Sequence, residues 1–173
     1  MSITTQDVLS SAPLGEVTAT DDALQVVFHR RYGKPIEKVW AAITTPERLA
    51  DWLAEAEIEM KVGGRVRLTW NKVHQMEGRV VALDPPNTFA WTWSLDERET
   101  VVRFDLKADG DGCWLTLTHS GLSPKAGRGS GVRAGWHAHL EGIPDAMEGR
   151  KTAWETKTAR EKAVADLYPA LPA

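Results

Sequence analysis

The 173-residue chain has one cysteine, no run of basic residues and no apolar stretch close to the roughly 20 residues that span a bilayer. Cys113 therefore cannot form an internal disulfide, and its position within GCWLTLTH is typical of a structural cysteine in a strand. The net charge of −3 gives nucleic-acid binding no compositional support. Residues 1–16 have neither the basic start nor the apolar block of a signal peptide, so we expect a cytoplasmic protein that does not bind a membrane.

Phenylalanine and tyrosine are also scarce, because the chain has 3 Phe and 2 Tyr against 8 Trp. Otherwise 42% of the residues are hydrophobic and 26% are charged, a composition that excludes collagen-like, coiled-coil and disordered chains. The length suits one domain, since domains commonly have about 100 to 150 residues. We expect residues 23–168 to form this domain, after a partly ordered leader at residues 1–22 and before a tail at residues 169–173.

Hydrophobic periodicity predicts an α+β domain. Alternation begins at Ala23 and predicts a strand that ends near Arg31, after which Pro35 and Thr45-Pro46 introduce two short helices. A series of about six strands follows, with turn residues between them.

The C-terminal third of the chain has helical periodicity instead. Residues 131–148 predict a long helix, and Pro144 inside it predicts a kink or a change of helix. A polar helix that ends by Tyr168 completes the chain. Because the sheet must cover its apolar face, we expect the long helix to lie over it and to leave a cleft between them.

Five segments carry a resemblance to a known family. They are GKPIEKVWAAITTPERLADWL, VGGRVRL, EGRVVALDPPNTFAWTW, LTLTHSGL and AGWHAHLEGIPDAMEG, in this order within residues 23–149. Together they resemble the heat-shock-protein-90 ATPase activator-like family of the START-like, or SRPBCC, superfamily. The resemblance implies the helix-grip fold, in which a curved antiparallel sheet of six to seven strands, with two short helices, grips a long C-terminal helix over a hydrophobic cavity. Pro144 departs from the usual pattern of the family, in which a helix-forming apolar residue is more typical.

Tryptophan is the most informative residue type for a binding site, because a buried indole has a large apolar surface and an N–H that needs a partner. Trp70 and Trp91 lie at alternating positions of strands, and Trp136 lies in the apolar stripe of the long helix. Core packing alone also explains any one of these side chains. The residues predicted to line the cavity are Trp70, Met76, Trp91, Trp136, His139, Ile143 and Met147.

The histidines do not predict a metal site. His137 and His139 are two residues apart, which places them about 200° apart around a helix, so they cannot chelate one ion as an i, i+4 pair can. His139 is the better pocket candidate, since it follows Trp136 by three residues. His74 and His119 add no recognised ligand spacing, and we expect neither a metal nor a cofactor.

Catalytic groups are equally sparse in the sequence. Ser120 and His119 are neighbours on a strand and therefore point to opposite faces. Arg67, Arg79 and Arg103 occur on successive strands, where they either hold a ligand carboxylate or form an exposed face with acidic partners.

These observations leave three hypotheses. The leading one is a small-molecule binding protein whose cavity takes an apolar or aromatic ligand, with no defined catalysis. The second is a protein-interaction module that resembles the co-chaperone domain, and the third is a cyclase-like or hydrolytic enzyme with His139 as its acid or base. We expect a monomer or a homodimer, since an exposed sheet face can pair with another copy.

Overall fold

The computed structural model describes residues 12–95 and 97–173. The strands are β1 (Glu16–Ala19), β2 (Leu24–Tyr32), β3 (Glu55–Ile58), β4 (Arg65–Trp70), β5 (His74–Asp84), β6 (Thr88–Leu95), β7 (Arg98–Asp109) and β8 (Gly112–Leu122). The helices are α1 (Ile36–Thr44), α2 (Pro46–Trp52), α3 (Pro124–Arg128), α4 (Ser130–Leu140), α5 (Ile143–Met147) and α6 (Trp154–Val164), and a short 3₁₀ turn follows at Ala165–Leu167. Within the described residues, no helix combines the length and the apolar character that crossing a membrane requires.

The eight strands of the described residues form one antiparallel sheet in the order β1-β2-β8-β7-β6-β5-β4-β3. The α+β class and the helix-grip architecture predicted from the sequence are confirmed, with eight strands where six to seven were expected. The additional strand is β1, which comes from the segment predicted as a leader and pairs with β2 at the edge of the sheet. Residues 1–11 of that predicted leader lie outside the described residues.

β5 connects two parts of the sheet. Its first half pairs with β4 and its second half with β6, with a register shift between Val80 and Ala82. Only glycine fits at position 78, because a Cβ there would lie 1.9 Å from the carbonyl oxygen of Thr92 on β6. A bulge and a close backbone approach of this kind bend a strand, so this part of β5 curves the sheet.

Helices cover the inner face of the sheet in two groups. α1 and α2 pack together over one half, and α5 packs against both of them. The centroid of the Trp40 ring lies 6.3 Å from that of Phe89, and Trp52 lies 6.2 Å from Phe104, both edge-on. α4 covers the other half, where the Trp136 ring meets Phe104 at 6.3 Å. The aromatic core is therefore continuous between the two helix groups.

The helix predicted over residues 131–148 is divided into α4 and α5. The predicted change of helix is confirmed, but α4 already ends at Leu140, and Pro144 lies in the first turn of α5. A proline at that position costs no hydrogen bond, since the first N–H groups of a helix have no partner within it. α5 turns towards α1 and α2, which carries Ile143 and Met147 away from the face of α4.

The C-terminal residues Tyr168 and Pro169 pack against α4. The Tyr168 hydroxyl accepts a hydrogen bond from the Gly15 N–H at 2.9 Å and lies 2.7 Å from Nδ1 of His137 on α4. The guanidinium of Arg133 lies 5.3 Å from the centre of the Tyr168 ring and donates to the Pro169 carbonyl at 2.8 Å. These contacts fix which face of α4 points towards the sheet.

Candidate functional site

A pocket of about 370 Å³ lies between the sheet and α4, and its lining is mostly apolar. The sheet side consists of Trp70 on β4, Trp93 and Leu95 on β6, and His119 on β8. The helix side consists of Gly131, Val132, Gly135, Trp136 and His139 on α4, together with Glu161 on α6.

Three indole rings form an aromatic corner, which we define as Trp70, Trp93 and Trp136. The ring centroids of Trp70 and Trp93 are 5.3 Å apart, with 31° between the ring planes. Trp136 meets Trp93 edge-on at 5.6 Å and 73°. Tilted and edge-on contacts of this kind are the favourable geometries for aromatic pairs. The corner therefore joins the sheet side of the pocket to its helix side.

His119 connects the Trp136 ring to the backbone of Trp93 through hydrogen bonds. The indole N–H of Trp136 donates to Nδ1 of His119 at 3.0 Å. Nε2 of His119 lies 2.8 Å from the hydroxyl of Thr100, which itself donates to the carbonyl of Trp93 at 2.6 Å. Because an indole N–H can only donate and the Thr100 proton is used on the carbonyl, His119 is neutral with its proton on Nε2. Burial lowers the pKa of His119 to about 4, in agreement with this assignment.

His139 has a different arrangement at the end of α4. Its Nδ1 lies 3.2 Å from the carbonyl oxygen of Trp52, and since a carbonyl only accepts, Nδ1 carries the proton and Nε2 is left as an acceptor. Burial lowers the pKa of His139 to about 4, the Trp52 carbonyl opposes the shift, and the nearby Lys157 ammonium adds to it. His139 is therefore neutral at pH 7. Within the described residues, no carboxylate hydrogen-bonds to it.

Two glycines create the space on the helix side. Val132, Gly135, Trp136 and His139 follow the i, i+3, i+4, i+7 pattern and so share one face of α4. A Cβ at Gly131 or Gly135 would meet no heavy atom within 4 Å. The volume in front of this helix face is thus open to a side chain or to a ligand, and two glycines four residues apart are the sequence signal for it.

The structure brings three of the seven predicted cavity residues to this wall: Trp70, Trp136 and His139. The other four are buried in the core away from it: Met76, Trp91, Ile143 and Met147. Trp91 stacks on Phe104 at 5.5 Å under the half covered by α1 and α2. Met76 lies opposite Leu68 in the β4–β5 pair. Ile143 and Met147 belong to α5, which packs against α1 and α2.

Sequence reasoning missed Trp93 and His119, the two residues on which the corner is built. Trp91 and Trp93 are two residues apart and share the inner face of β6. Periodicity therefore does not show which of the two rings lies under α4 and which lies under α1 and α2. His119 alternates with the buried leucines of β8, which is a readable signal that its ring faces inwards.

The three strand arginines do not meet at one site. Arg67 pairs with Glu77 at 3.0 Å and Arg103 pairs with Asp105 at 2.8 Å, whereas Arg79 lies on a polar groove of the outer sheet face. These are exposed charges with acidic neighbours, and such pairs add little stability.

The remaining chemistry-bearing residues are structural in character. His137 is fully buried beside Tyr168 and does not reach the pocket. Cys113 is buried in β8, and burial raises the pKa of its thiol. Among residues 12–95 and 97–173, no three His, Cys, Asp or Glu side chains come together as metal ligands would.

Comparison with known sequences identifies the family. Residues 34–148 match the family described as Activator of Hsp90 ATPase homolog 1-like protein. The chain belongs to this family. The matched residues include both short helices, β3 to β8, α4 and α5, and therefore most of the pocket lining. In this family member, α6 begins after the last matched residue.

Solved structures share the fold. CalU16 from Micromonospora echinospora superposes with a TM-score of 0.66 at 24% identity, covering 89% of this chain and 95% of that one. MLL2253 from Mesorhizobium loti gives 0.67 at 27% identity, with 72% and 96% covered. DynU16, described as a protein in the dynemicin biosynthetic locus, gives 0.64 at 22% identity, with 75% of this chain and 48% of DynU16 covered. Comparison with curated proteins gave no match.

Proposed function

We propose that this family member is a small-molecule binding protein that holds an apolar or aromatic ligand between the sheet and α4. The proposal is carried by the aromatic corner and the open space in front of it, a pocket of about 370 Å³. This volume falls in the range of small-ligand sites, about 300 to 1,000 Å³. Indole faces provide large contact areas for planar ligands, and the corner presents them from two directions.

The polar groups of the pocket support recognition more than catalysis. Both ring nitrogens of His119 are occupied, by Trp136 and by Thr100. His139 offers Nε2 as an acceptor, and its low pKa makes it a weak base at neutral pH. We propose that His139 orients a ligand N–H or O–H. The description of DynU16 as a protein of a biosynthetic locus fits a role with a small molecule.

The test is a fluorescence titration with phenylnaphthylamine, an uncharged aromatic probe that brightens when it leaves water. We expect the wild-type protein to bind it and a set of apolar compounds to displace it. Gly135→Leu is expected to abolish probe binding, because the new side chain would project into the open space in front of α4.

Gly135→Ala is the matched control. It makes the same change of helix propensity, which stabilises a helix interior by about 0.5 to 1 kcal/mol, but adds only one methyl group to the pocket. It should keep the probe, and both variants should melt no lower than the wild type. A wild-type protein that does not bind the probe, or a folded Gly135→Leu protein that binds it as well, contradicts the proposal.

The two alternatives keep their own tests. An interaction module requires a stable protein partner whose capture survives the filling of the pocket by Gly135→Leu. A cyclase-like or hydrolytic enzyme requires a turnover that falls in His139→Ala. The cytoplasmic location and the monomeric or homodimeric state remain predictions from the sequence.

A further inference from the structure

A second, smaller pocket of about 140 Å³ lies beside the first and shares Trp70 with it. It is bounded by the turn after β4, the end of α2 and the start of α6. Its charged lining residues are Glu55, Lys72, Lys151 and Lys157. The local charge is therefore positive in a chain whose net charge is −3.

Lys157 is the unusual member of this group, because its side chain lies inside the protein. It is 9% exposed, and its ammonium donates one long hydrogen bond, 3.4 Å to the carbonyl of Leu53. An ammonium has three N–H donors, and among the described residues no other hydrogen bond of this group occurs. Burial, with the Lys151 charge, lowers the pKa of Lys157 to about 8, against a raising effect of Asp51. Asp51 does not form a salt bridge with Lys157, so this buried ammonium keeps unused donors that favour an anionic partner.

The start of α6 adds a second attraction for an anion. Thr152, Trp154 and Lys157 line the pocket, so the first turn of this 11-residue helix borders it. Ala153 at the N-cap offers no side-chain acceptor to the first N–H groups. Those groups and the helix dipole favour a negative charge at this end.

The two pockets are neighbours, and a charge in one affects a titratable group in the other. Trp70 separates them, and the charge of Lys157 reaches His139 in the first pocket, where it lowers the pKa of the imidazole. Trp70 lines both pockets, so the second pocket lies next to the aromatic corner.

We propose that Lys157, with Lys151 and Lys72, binds the carboxylate, sulfonate or phosphate group of a ligand whose apolar body occupies the aromatic corner. This inference rests on the proposed function and narrows it to amphiphilic anions. Lys151 and Lys157 lie beyond residues 34–148, so two of the three lysines of this site are outside the family match, whereas Lys72 is inside it.

The test compares two probes that share one aromatic body: anilinonaphthalene sulfonate and uncharged phenylnaphthylamine. We expect Lys157→Gln to weaken sulfonate binding by about tenfold or more, the usual loss for a hydrogen bond to a charged group in a partly buried site. Phenylnaphthylamine binding should not change. Lys157→Arg should retain most of the sulfonate affinity, and Lys125→Gln on α3, an exposed lysine away from both pockets, should behave as the wild type.

Lys151→Gln is the second variant, since Lys151 is exposed and its loss does not disturb the core. It should weaken sulfonate binding in the same direction as Lys157→Gln. Equal losses for both probes, or sulfonate binding unaffected by either substitution, overturn the anion site while leaving the binding function in place. If neither probe binds the wild type, the proposed function fails and the anion site fails with it.

Discussion

His119 connects Trp136, Thr100 and Trp93 only while its imidazole is neutral. The Trp136 N–H occupies Nδ1, so a second proton on the ring would place two donors against each other. Burial lowers the pKa of His119 to about 4, which keeps the ring in this neutral form at pH 7.

The first prediction concerns the pH dependence of stability. The folded-state pKa of His119 is about 4, below the value of about 6.5 in an unfolded chain, so the unfolded state binds more protons between these values. The contribution of His119 to the free energy of unfolding is therefore fully present above about pH 6.5. It is lost as the pH falls towards 4, and the loss amounts to up to about 3 kcal/mol. His139 is shifted in the same direction and adds to the decline.

Urea unfolding at a series of pH values from about 7.5 down to about 4.5 measures this decline, because these values cover most of the interval between the folded-state and unfolded-state pKa of His119. His119→Gln removes one titrating group, so its stability should depend less steeply on pH than that of the wild type. His29→Gln is the control, since His29 is exposed on β2. An NMR titration that gives His119 a pKa near 6.5 would contradict the neutral assignment.

The role of an individual residue was predictable from the sequence where a single physical rule determines it. Burial of Cys113 and the wrong spacing of His137 and His139 for chelation follow from alternation and helix geometry. The choice among tryptophans does not follow in this way, because Trp91 and Trp93 share one face of β6 and differ only in which helix covers them.

At the scale of elements, the close contact between β5 and β6 controls the curvature of the sheet. Gly78→Ala would place a methyl group 1.9 Å from the Thr92 carbonyl, a distance that only a shift of the backbone can relieve. We expect the substitution to lower the free energy of unfolding by about 2 kcal/mol or more. Urea denaturation measures the change.

Gly33→Ala is the matched control, because a Cβ at Gly33 meets no atom within 4 Å. It should change stability by less than about 0.5 kcal/mol, as surface substitutions usually do. Equal effects at the two positions would show that the close approach at Gly78 does not matter for the fold.

The division of the C-terminal helix shows where element prediction stops. Apolar periodicity over residues 131–148 is real, and Pro144 correctly predicts an interruption. The stripe of apolar residues nevertheless cannot show that α5 leaves the direction of α4 after Leu140, since both helices bury their apolar sides, one against the sheet and the other against α1 and α2. Ile143 and Met147, the cavity residues predicted on α5, therefore lie on a helix that packs against α1 and α2.

For the whole molecule, the alternation of strands, the paired short helices and the late helix predicted an α+β domain with a helix over the sheet, and the family resemblance implied the helix-grip fold. β1 was not predicted, because its short pairing with β2 at the sheet edge leaves little apolar signal. The pocket depends on the final packing of α4 and α6 over the sheet, and of this tertiary arrangement a local pattern indicates only the space at Gly131 and Gly135.

A ligand bound in front of the aromatic corner would lie against the indole rings of the corner and change the NMR signals of their N–H groups. A nitrogen–proton NMR spectrum resolves the indole N–H groups of the eight tryptophans, which single Trp→Phe variants assign. On saturation with phenylnaphthylamine, we expect large shifts for Trp70, Trp93 and Trp136 and none for exposed Trp114. Shifts centred on Trp114, or no shift in the corner signals at saturation, would contradict binding at the corner.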